Sequence, residues 1–241
     1  MKFEGKNPVR ELISSDASIQ KIYIENGNQN NVLKEIEYLA KKKNIKVQLV
    51  DRKELDKMSE TGHHQGVIAE GLDFEYASLD KLIADARNQN KDLFFIILDE
   101  VLDPHNLGSI IRVAECAGAT GVIIPNRRSA SVNETVVRTS AGATAYLPVV
   151  RVNNINNTIE KLKEENVWVY ALDMDGEDIY KTNLTGNVAL VVGGEGTGVG
   201  KLTRKICDGI ISIPMFGKVN SLNASVSAGI ATYEVIRQRR K

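Results

Sequence analysis

Cysteine and histidine are scarce in this sequence. The chain of 241 residues has two cysteines and three histidines. Cys116 and Cys207 lie in apolar contexts far apart, which predicts two buried thiols in a reducing compartment rather than a disulfide. The histidines do not combine with them at any metal-ligand spacing. We therefore expect no bound metal.

An excess of charge is also missing. The 31 basic residues balance 31 acidic ones, which argues against a grossly basic nucleic-acid binder. Affinity for nucleic acid would have to come from local patches, such as Arg127-Arg128 and Arg237–Lys241. No apolar run approaches the ~18 residues of a membrane span, and the charged start MKFEGKNPVR does not resemble a signal peptide. We expect a cytoplasmic protein without a membrane partner.

The first part of the chain predicts a small α/β domain, residues 1–71. Apolar residues recur at helical or strand spacing along it. The predicted helices are Gly5–Ile13, Val32–Lys43 and Arg52–Ser59, and the predicted strands are Ile19–Ile24, Ile45–Val50 and a third entered through His63–Glu70. The sequence HHQG before the third strand has two interpretations: a polar turn, or a loop that reaches nucleotides.

The rest of the chain alternates strands and helices. Residues 72–91 read as a linker whose helix, Leu79–Arg87, docks on the next domain, residues 92–241. The wholly apolar run Leu93–Leu98 is typical of a parallel sheet covered on both faces. Further strands are predicted at Val122–Pro125, Val149–Val152, Trp168–Leu172, Val188–Val192 and Ile210–Ile213, helices at Leu107–Gly118, Ser131–Thr139, Ile155–Glu164 and Ser225–Arg237, and a turn at Asp173–Gly176.

A glycine-rich loop after Val188–Val192 predicts a ligand pocket made largely of main chain. It is not a P-loop, because Leu202 follows Gly200-Lys201. It also lacks the third glycine of the dinucleotide fingerprint, where Val199 stands. Glu195 amid the glycines would repel a pyrophosphate. The pocket therefore favours a ligand less anionic than a nucleotide phosphate.

Three stretches carry a resemblance to a known family: LDEVLDPHNLGSIIRVAECAGATGVIIP from Leu98, GGEGTGVG from Gly193, and ISIPMFGKVNSLNASVSAG from Ile211. In this order they resemble the motifs of the SpoU, or TrmH-type, RNA ribose 2′-O-methyltransferases. The residues before them resemble the RNA-binding domain of the RlmB-like branch. The resemblance implies a SPOUT catalytic domain with a trefoil knot, preceded by a small, ribosomal-protein-like RNA-binding domain.

The resemblance also implies S-adenosylmethionine as the cofactor. Gly193, Ile213 and Leu222 match the family positions that hold it, and Gly194, Gly196 and Met215 are expected to shape the same cavity. Taken singly, each glycine could equally serve a tight turn alone.

The catalytic residues that the resemblance implies are Arg112, Asn106, Glu195, Ser221 and Asn223. Arginine stays protonated in proteins, so binding an RNA phosphate and orienting the hydroxyl suit Arg112 better than accepting a proton. Glu195 could accept hydrogen bonds from Arg112 or Asn106. Ser221 and Asn223 could instead be simple helix caps. Lys218 and Arg138 are weaker candidates for phosphate contacts.

The resemblance favours a guanosine of 23S ribosomal RNA as the substrate, with transfer RNA as the alternative. A catalytically silent RNA-binding protein of this fold is the other alternative; its hallmark would be loss of Arg112, Glu195 or Asn223, and all three are present. Family members pair through the knotted domain. A homodimer is therefore expected, and the apolar residues on more than one face of Ser225–Arg237 agree with it.

Overall fold

The computed structural model describes residues 2–14, 19–71, 74–219 and 221–240. The chain forms two compact units, Met1–Phe74 and Glu75–Lys241. Both are α/β units, as the sequence pattern predicted.

The first unit contains one sheet of four strands with helices packed on it. In chain order it comprises β1 (Lys2–Glu4), α1 (Lys6–Ser14), β2 (Ile19–Glu25), α2 (Asn31–Lys42), β3 (Val47–Val50), α3 (Arg52–Met58) and β4 (Val67–Gly71). The strand order is β1-β4-β2-β3, with β2 and β3 parallel and the other pairs antiparallel. Strand β1 was not predicted; three residues are too few to show a period.

The second unit is built on a six-stranded sheet. Its elements are α4 (Leu79–Asn88), β5 (Phe94–Asp99), α5 (Pro104–Cys116), β6 (Gly121–Pro125), α6 (Glu134–Thr139), β7 (Val149–Val152), α7 (Ile155–Glu164), β8 (Trp168–Asp178), β9 (Val188–Gly193), α8 (Lys201–Ile206), β10 (Gly209–Ser212) and α9 (Ala224–Arg239). The order β10-β8-β9-β5-β6-β7 is parallel throughout. The predicted parallel sheet is confirmed.

Both faces of this sheet are covered. Phe95 and Ile97 of β5 join a core with Leu79 and Ile83 of α4, while Phe94 packs on the opposite side with Ala231 of α9. Alternate residues of one strand therefore enter two different cores, which is why the run is apolar at every position.

Three details differ from the sequence-based expectations. Strand β8 continues through the predicted turn at Asp173–Gly176, since its end pairs with β10; a Cβ on Gly176 would lie 2.5 Å from backbone atoms of Ile211. Helix α5 begins at Pro104 rather than Leu107, because the Asp103 side chain caps it by accepting from His105 N at 2.9 Å. Of the two cysteines predicted to be buried, Cys116 is exposed and Cys207 is partly buried.

Candidate active site

A cavity of about 570 Å³ lies beyond the carboxyl ends of β9 and β10, beside the middle of β8. Such a position, beyond the carboxyl ends of parallel strands, is where open α/β sheets bind ligands. Nine of the residues singled out in the sequence line it: Gly193, Gly194, Glu195, Gly196, Ile213, Met215, Ser221, Leu222 and Asn223. The structure thus brings together side chains from two separate motifs.

The glycines of the loop are required by close approaches of the backbone. A Cβ on Gly193 would lie 2.1 Å from the carbonyl carbon of Gly198, and one on Gly194 would lie 2.4 Å from the Glu100 carbonyl oxygen. Gly196 has open space around it but a φ of +82°, which favours glycine. The loop therefore forms a wall of bare main chain, with amide and carbonyl groups available to a ligand.

Asn106, Glu195 and Asn223 form one hydrogen-bonded network beside the cavity. Asn106 Nδ2 donates to Glu195 Oε1 at 3.0 Å. Asn223 Nδ2 donates to the same oxygen at 2.5 Å and to Asn106 Oδ1 at 2.9 Å. One residue from each of the three sequence motifs takes part. The network therefore joins the three motifs beside the cavity.

Asn223 also begins the last helix. Its Oδ1 accepts from Ser225 N at 2.9 Å and from Val226 N at 3.3 Å, which makes it the N-cap of α9. The capping interpretation and the active-site interpretation of Asn223 therefore hold together: Oδ1 caps the helix while Nδ2 faces Glu195. Ser221, two residues earlier, lines the cavity and is exposed.

Arg112 does not line the cavity. It lies six residues after Asn106 on α5, which is about 9 Å along the axis and about 120° around it. Its side chain is exposed. Glu195 accepts from Asn106 and Asn223 rather than from Arg112. Lys218 is exposed on the segment that borders the cavity, and Arg138 is the basic residue in the last turn of α6.

Asp173 is a cavity residue that the sequence did not reveal, because it fell in the predicted turn. It lines the cavity at the middle of β8, and its Oδ2 pairs with Arg204 Nη1 at 3.2 Å. Arg204 also grips both oxygens of Asp175, at 2.6 and 2.7 Å, and this contact lowers the pKa of Asp175. Arg204 thereby ties α8 to the extended part of β8.

The cavity suits a cofactor that carries positive charge and no phosphate. The Glu195 carboxylate lines it, as does that of Asp173, which is paired with Arg204, and no basic side chain lines it among the described residues. Leu172, Val192 and Ile213 supply apolar wall. A sulfonium joined to an adenosine fits such a lining better than a nucleotide phosphate does. Within the described residues, no group of three or more histidine, cysteine, aspartate or glutamate side chains could hold a metal ion.

The HHQG sequence divides into buried and exposed residues. His64 is 3% exposed and hydrogen-bonds Asp56 and the Gly66 amide. Its neighbours His63 and Gln65 are exposed. His64 is thus part of the turn itself, and only the two residues beside it can meet a nucleotide.

A parallel α/β unit with a main-chain pocket and an amide–carboxylate network at its rim defines a class of enzyme that binds a compact cationic cofactor. Comparison with protein families identifies the chain further. Residues 93–233 match the SpoU rRNA Methylase family, and residues 3–77 match the family of RNA 2′-O ribose methyltransferase substrate-binding domains. The chain belongs to the SpoU rRNA methylase family. It is an RNA methyltransferase, and the family's methyl donor is S-adenosylmethionine, the cofactor predicted from the sequence.

Similar proteins agree over nearly the full length. YacO of Bacillus subtilis (strain 168), assigned to the TrmH family of tRNA/rRNA methyltransferases, is 46% identical over 237 residues, covering 98% of this chain and 94% of that protein. The 23S rRNA (guanosine-2′-O-)-methyltransferase RlmB of Xanthomonas campestris pv. campestris is 42% identical over 245 residues, covering 98% and 95%.

Solved structures share the fold. The SpoU methyltransferase AviRb of Streptomyces viridochromogenes, crystallised with AdoMet, superposes with a TM-score of 0.75 at 23% identity, covering 100% of this chain and 91% of that one. The predicted SPOUT architecture with a small N-terminal domain is therefore confirmed. Among the described residues, no helix is long and apolar enough to cross a membrane.

Proposed function

We propose that this protein methylates the 2′-oxygen of a guanosine ribose in 23S ribosomal RNA. The observation that carries the chemistry is the Asn106–Glu195–Asn223 network at the rim of the cavity. The support for this substrate is the 42% identity, over nearly the whole chain, to an RlmB that bears this activity in its name. Transfer RNA is the second candidate, because YacO is named for tRNA and rRNA alike.

The residues of the chain divide the task. Bound S-adenosylmethionine supplies an electrophilic methyl group. Gly193, Ile213 and Leu222 hold it through main chain and apolar contact, while Gly194, Gly196 and Met215 shape the cavity. The two amides keep the Glu195 carboxylate in one orientation, where it and Ser221 can position the ribose hydroxyl. Arg112 grips an RNA phosphate through its planar guanidinium.

Substrate recognition and catalysis are assigned to different parts of the chain. Residues 1–71 would bind the RNA, and residues 92–241 would transfer the methyl group. Residues 72–91 would link the two domains. The match of residues 3–77 to substrate-binding domains supports the first assignment. The packing of α4 on the core of the second unit supports the idea that the connecting segment docks there.

A homodimer through the catalytic domain, paired on α9, is part of the proposal. Ala228, Ala231 and Val235 of α9 are buried in its own unit, while Val226 and Tyr233 remain 48% and 52% exposed. This second apolar face agrees with a partner helix. Arg112, on α5 and outside the cavity of its own chain, could then serve the partner's cavity. Light scattering should give close to twice the 26.5 kDa chain mass; an active monomer would contradict the shared site.

The trefoil knot and the cytoplasmic location complete the proposal. Small residues at close backbone approaches support a threaded chain: a Cβ on Gly176 would meet the backbone of Ile211 in β10, and one on Gly193 would meet that of Gly198 in the glycine loop. Two free thiols agree with a reducing cytoplasm.

Mapping 2′-O-methyl groups in a strain that lacks the protein tests the substrate. One guanosine of 23S rRNA should lose its methyl group, and the purified protein should restore it on unmethylated rRNA. Loss confined to a transfer RNA would favour the second candidate, and no loss in either RNA would refute the proposal.

A further inference from the structure

The loop 59–66, which leads from α3 into β4, is held rigid by a carboxylate. Glu4 accepts hydrogen bonds from Ser59 Oγ at 2.6 Å, Glu60 N at 2.5 Å, Thr61 Oγ1 at 2.5 Å and Thr61 N at 3.3 Å. Burial raises the pKa of Glu4, but these hydrogen bonds outweigh it and lower the pKa below its ordinary value. The first half of the loop is therefore fixed by a charged group of β1.

A buried histidine fixes the second half. His64 Nδ1 accepts from Gly66 N at 3.1 Å, which assigns the ring proton to Nε2, and Nε2 donates to Asp56 Oδ1 at 2.9 Å. Gly66 itself has a φ of +87°, and a Cβ there would lie 2.9 Å from Glu25 Oε2. The loop is thus preorganised from both ends.

This rigid frame displays two polar side chains to solvent. His63 and Gln65 flank the buried His64, and both are exposed. Gln65 has a φ of +51°, a left-handed conformation that a glycine would adopt at less cost. Its Oε1 lies 3.3 Å from Lys6 N, which leaves the two amide hydrogens directed away from this contact. A costly backbone conformation that supports an exposed amide favours a role in binding.

Charges of both signs surround the loop. Lys53 and Lys57 are exposed on α3, which runs into the loop, and so are Glu54 on that helix and Glu60 in the loop itself. Glu4 and Asp56 accept hydrogen bonds from the loop. The groups that the loop offers to unpaired nucleotides are therefore its exposed imidazole and amide, which can hydrogen-bond base edges.

We propose that loop 59–66 contacts unpaired nucleotides of the RNA substrate, with His63 and Gln65 hydrogen-bonding base edges or ribose hydroxyls. This inference rests on the proposed function and names the contacting residues within the N-terminal unit. Gln65→Gly removes the amide and relieves the left-handed strain, but it also removes the acceptor of Lys6 N at the start of α1, so its thermal midpoint is measured beside its KM. Asn44→Gly is the matched control: Asn44 is exposed in the same unit with a φ of +57°, and lies on the turn between α2 and β3.

The assay uses the full-length chain, unmethylated 23S rRNA and, in parallel, unmethylated transfer RNA. Gln65→Gly should raise KM roughly tenfold for whichever of the two RNAs the wild-type protein methylates. This is the effect of one or two lost hydrogen bonds. The kcat of the variant and its affinity for S-adenosylmethionine should stay at wild type. Its thermal midpoint should change little, because relief of the left-handed conformation offsets the lost contact with Lys6 N. His63→Ala should act in the same direction, and Asn44→Gly should leave KM unchanged.

The outcomes separate the two proposals. A wild-type chain that methylates neither RNA refutes the proposed function. An active wild type with an unchanged KM in both Gln65→Gly and His63→Ala refutes only the role of the loop. A fall in cofactor affinity, or the same rise in KM in Asn44→Gly, would show that the substitution acts through the fold and would also overturn the inference.

Discussion

Replacing Asn106 by aspartate tests the amide–carboxylate network with the least change in shape. Asn106 is 5% exposed, and its Nδ2 lies 3.0 Å from Glu195 Oε1. In Asn106→Asp the donor becomes an oxygen, so two carboxyl groups face each other at that distance. Only the Asn223 amide remains to bridge them. The substitution keeps the side-chain volume but replaces an attractive N–H···O contact with Glu195 by a repulsive contact between two carboxyl groups.

The magnitude follows from the geometry. Two full charges at this distance repel by about 5 kcal/mol at an effective dielectric constant of about 20. The pair avoids most of this by retaining a proton, as carboxyl pairs do, which raises one pKa. Each unit by which that pKa rises costs the folded variant about 1.4 kcal/mol at high pH. Because the pKa of the folded variant is raised above its unfolded value, the loss of stability is absent in acid and grows as the pH rises through the folded pKa.

Thermal unfolding and methyl transfer, each measured between about pH 5 and pH 8.5, check this reasoning. The midpoint of Asn106→Asp should fall below wild type at high pH and approach it as the pH falls, and activity should recover in the same direction. Thr203→Val is the control, since Thr203 is also buried and bonds Asn156 Oδ1 at 3.0 Å. The free energy of unfolding of Thr203→Val should be lower than that of wild type by about 1 kcal/mol, and this difference should not depend on pH. A deficit in Asn106→Asp that does not change with pH would refute the coupling to Glu195.

Three further predictions concern other parts of the second unit. Gly193→Ala should unfold the chain or lower its thermal midpoint strongly, because its Cβ would meet backbone at 2.1 Å, whereas Gly217→Ala, with no neighbour within 4 Å, should be tolerated. Arg112→Ala should keep cofactor affinity in calorimetry but lose about 10²–10³ in methyl transfer, and Arg112→Lys should recover little. Glu234→Gln should be less stable than wild type at neutral pH and equal to it in acid. Hydrogen bonds from Arg237 lower the Glu234 pKa, so this stability is present above the ordinary value of 4.5 and lost as the pH falls through the folded one.

Each of these has an outcome that would count against it. A normally folded Gly193→Ala would mean that the glycine loop can move away from Gly198. Near-normal turnover in a folded Arg112→Ala would remove Arg112 from the mechanism. A difference between wild type and Glu234→Gln that persists in strong acid would place its origin in packing rather than in the ion pair.

Much of the second unit could be predicted because its signals are local. The run Leu93–Leu98 is apolar at every position since both faces of β5 are buried, and a strand of that kind belongs to a parallel sheet. In the first unit a helical period predicted α2, and in the second the spacing of small residues predicted α5 and α9. The motifs added the methyltransferase family, which the comparisons confirmed. The cavity glycines were recognisable because backbone approaches exclude side chains at those positions.

Elements stabilised by distant partners were missed. Asp173–Gly176 looks like a turn by composition, yet β10 and Arg204 hold it extended from outside the segment. Cys116 looks buried among apolar neighbours, but it lies on the solvent side of α5. Periodicity could not indicate that His64 is buried while His63 and Gln65 beside it are exposed. The partner of the His64 ring is the Asp56 side chain, which belongs to another element, α3.

By itself, the sequence determined the class of fold, the family and the residues that could form the site, since these depend on local composition and on motif order. The tertiary structure decided which of them meet. Asn106, Glu195 and Asn223 come together because the start of α5, the loop after β9 and the start of α9 lie at the same edge of the sheet. Arg112 stays outside because six residues of helix turn it about 120° away from Asn106. Contact between distant residues depends on how the sheet orders its strands, and no single stretch of sequence contains that order.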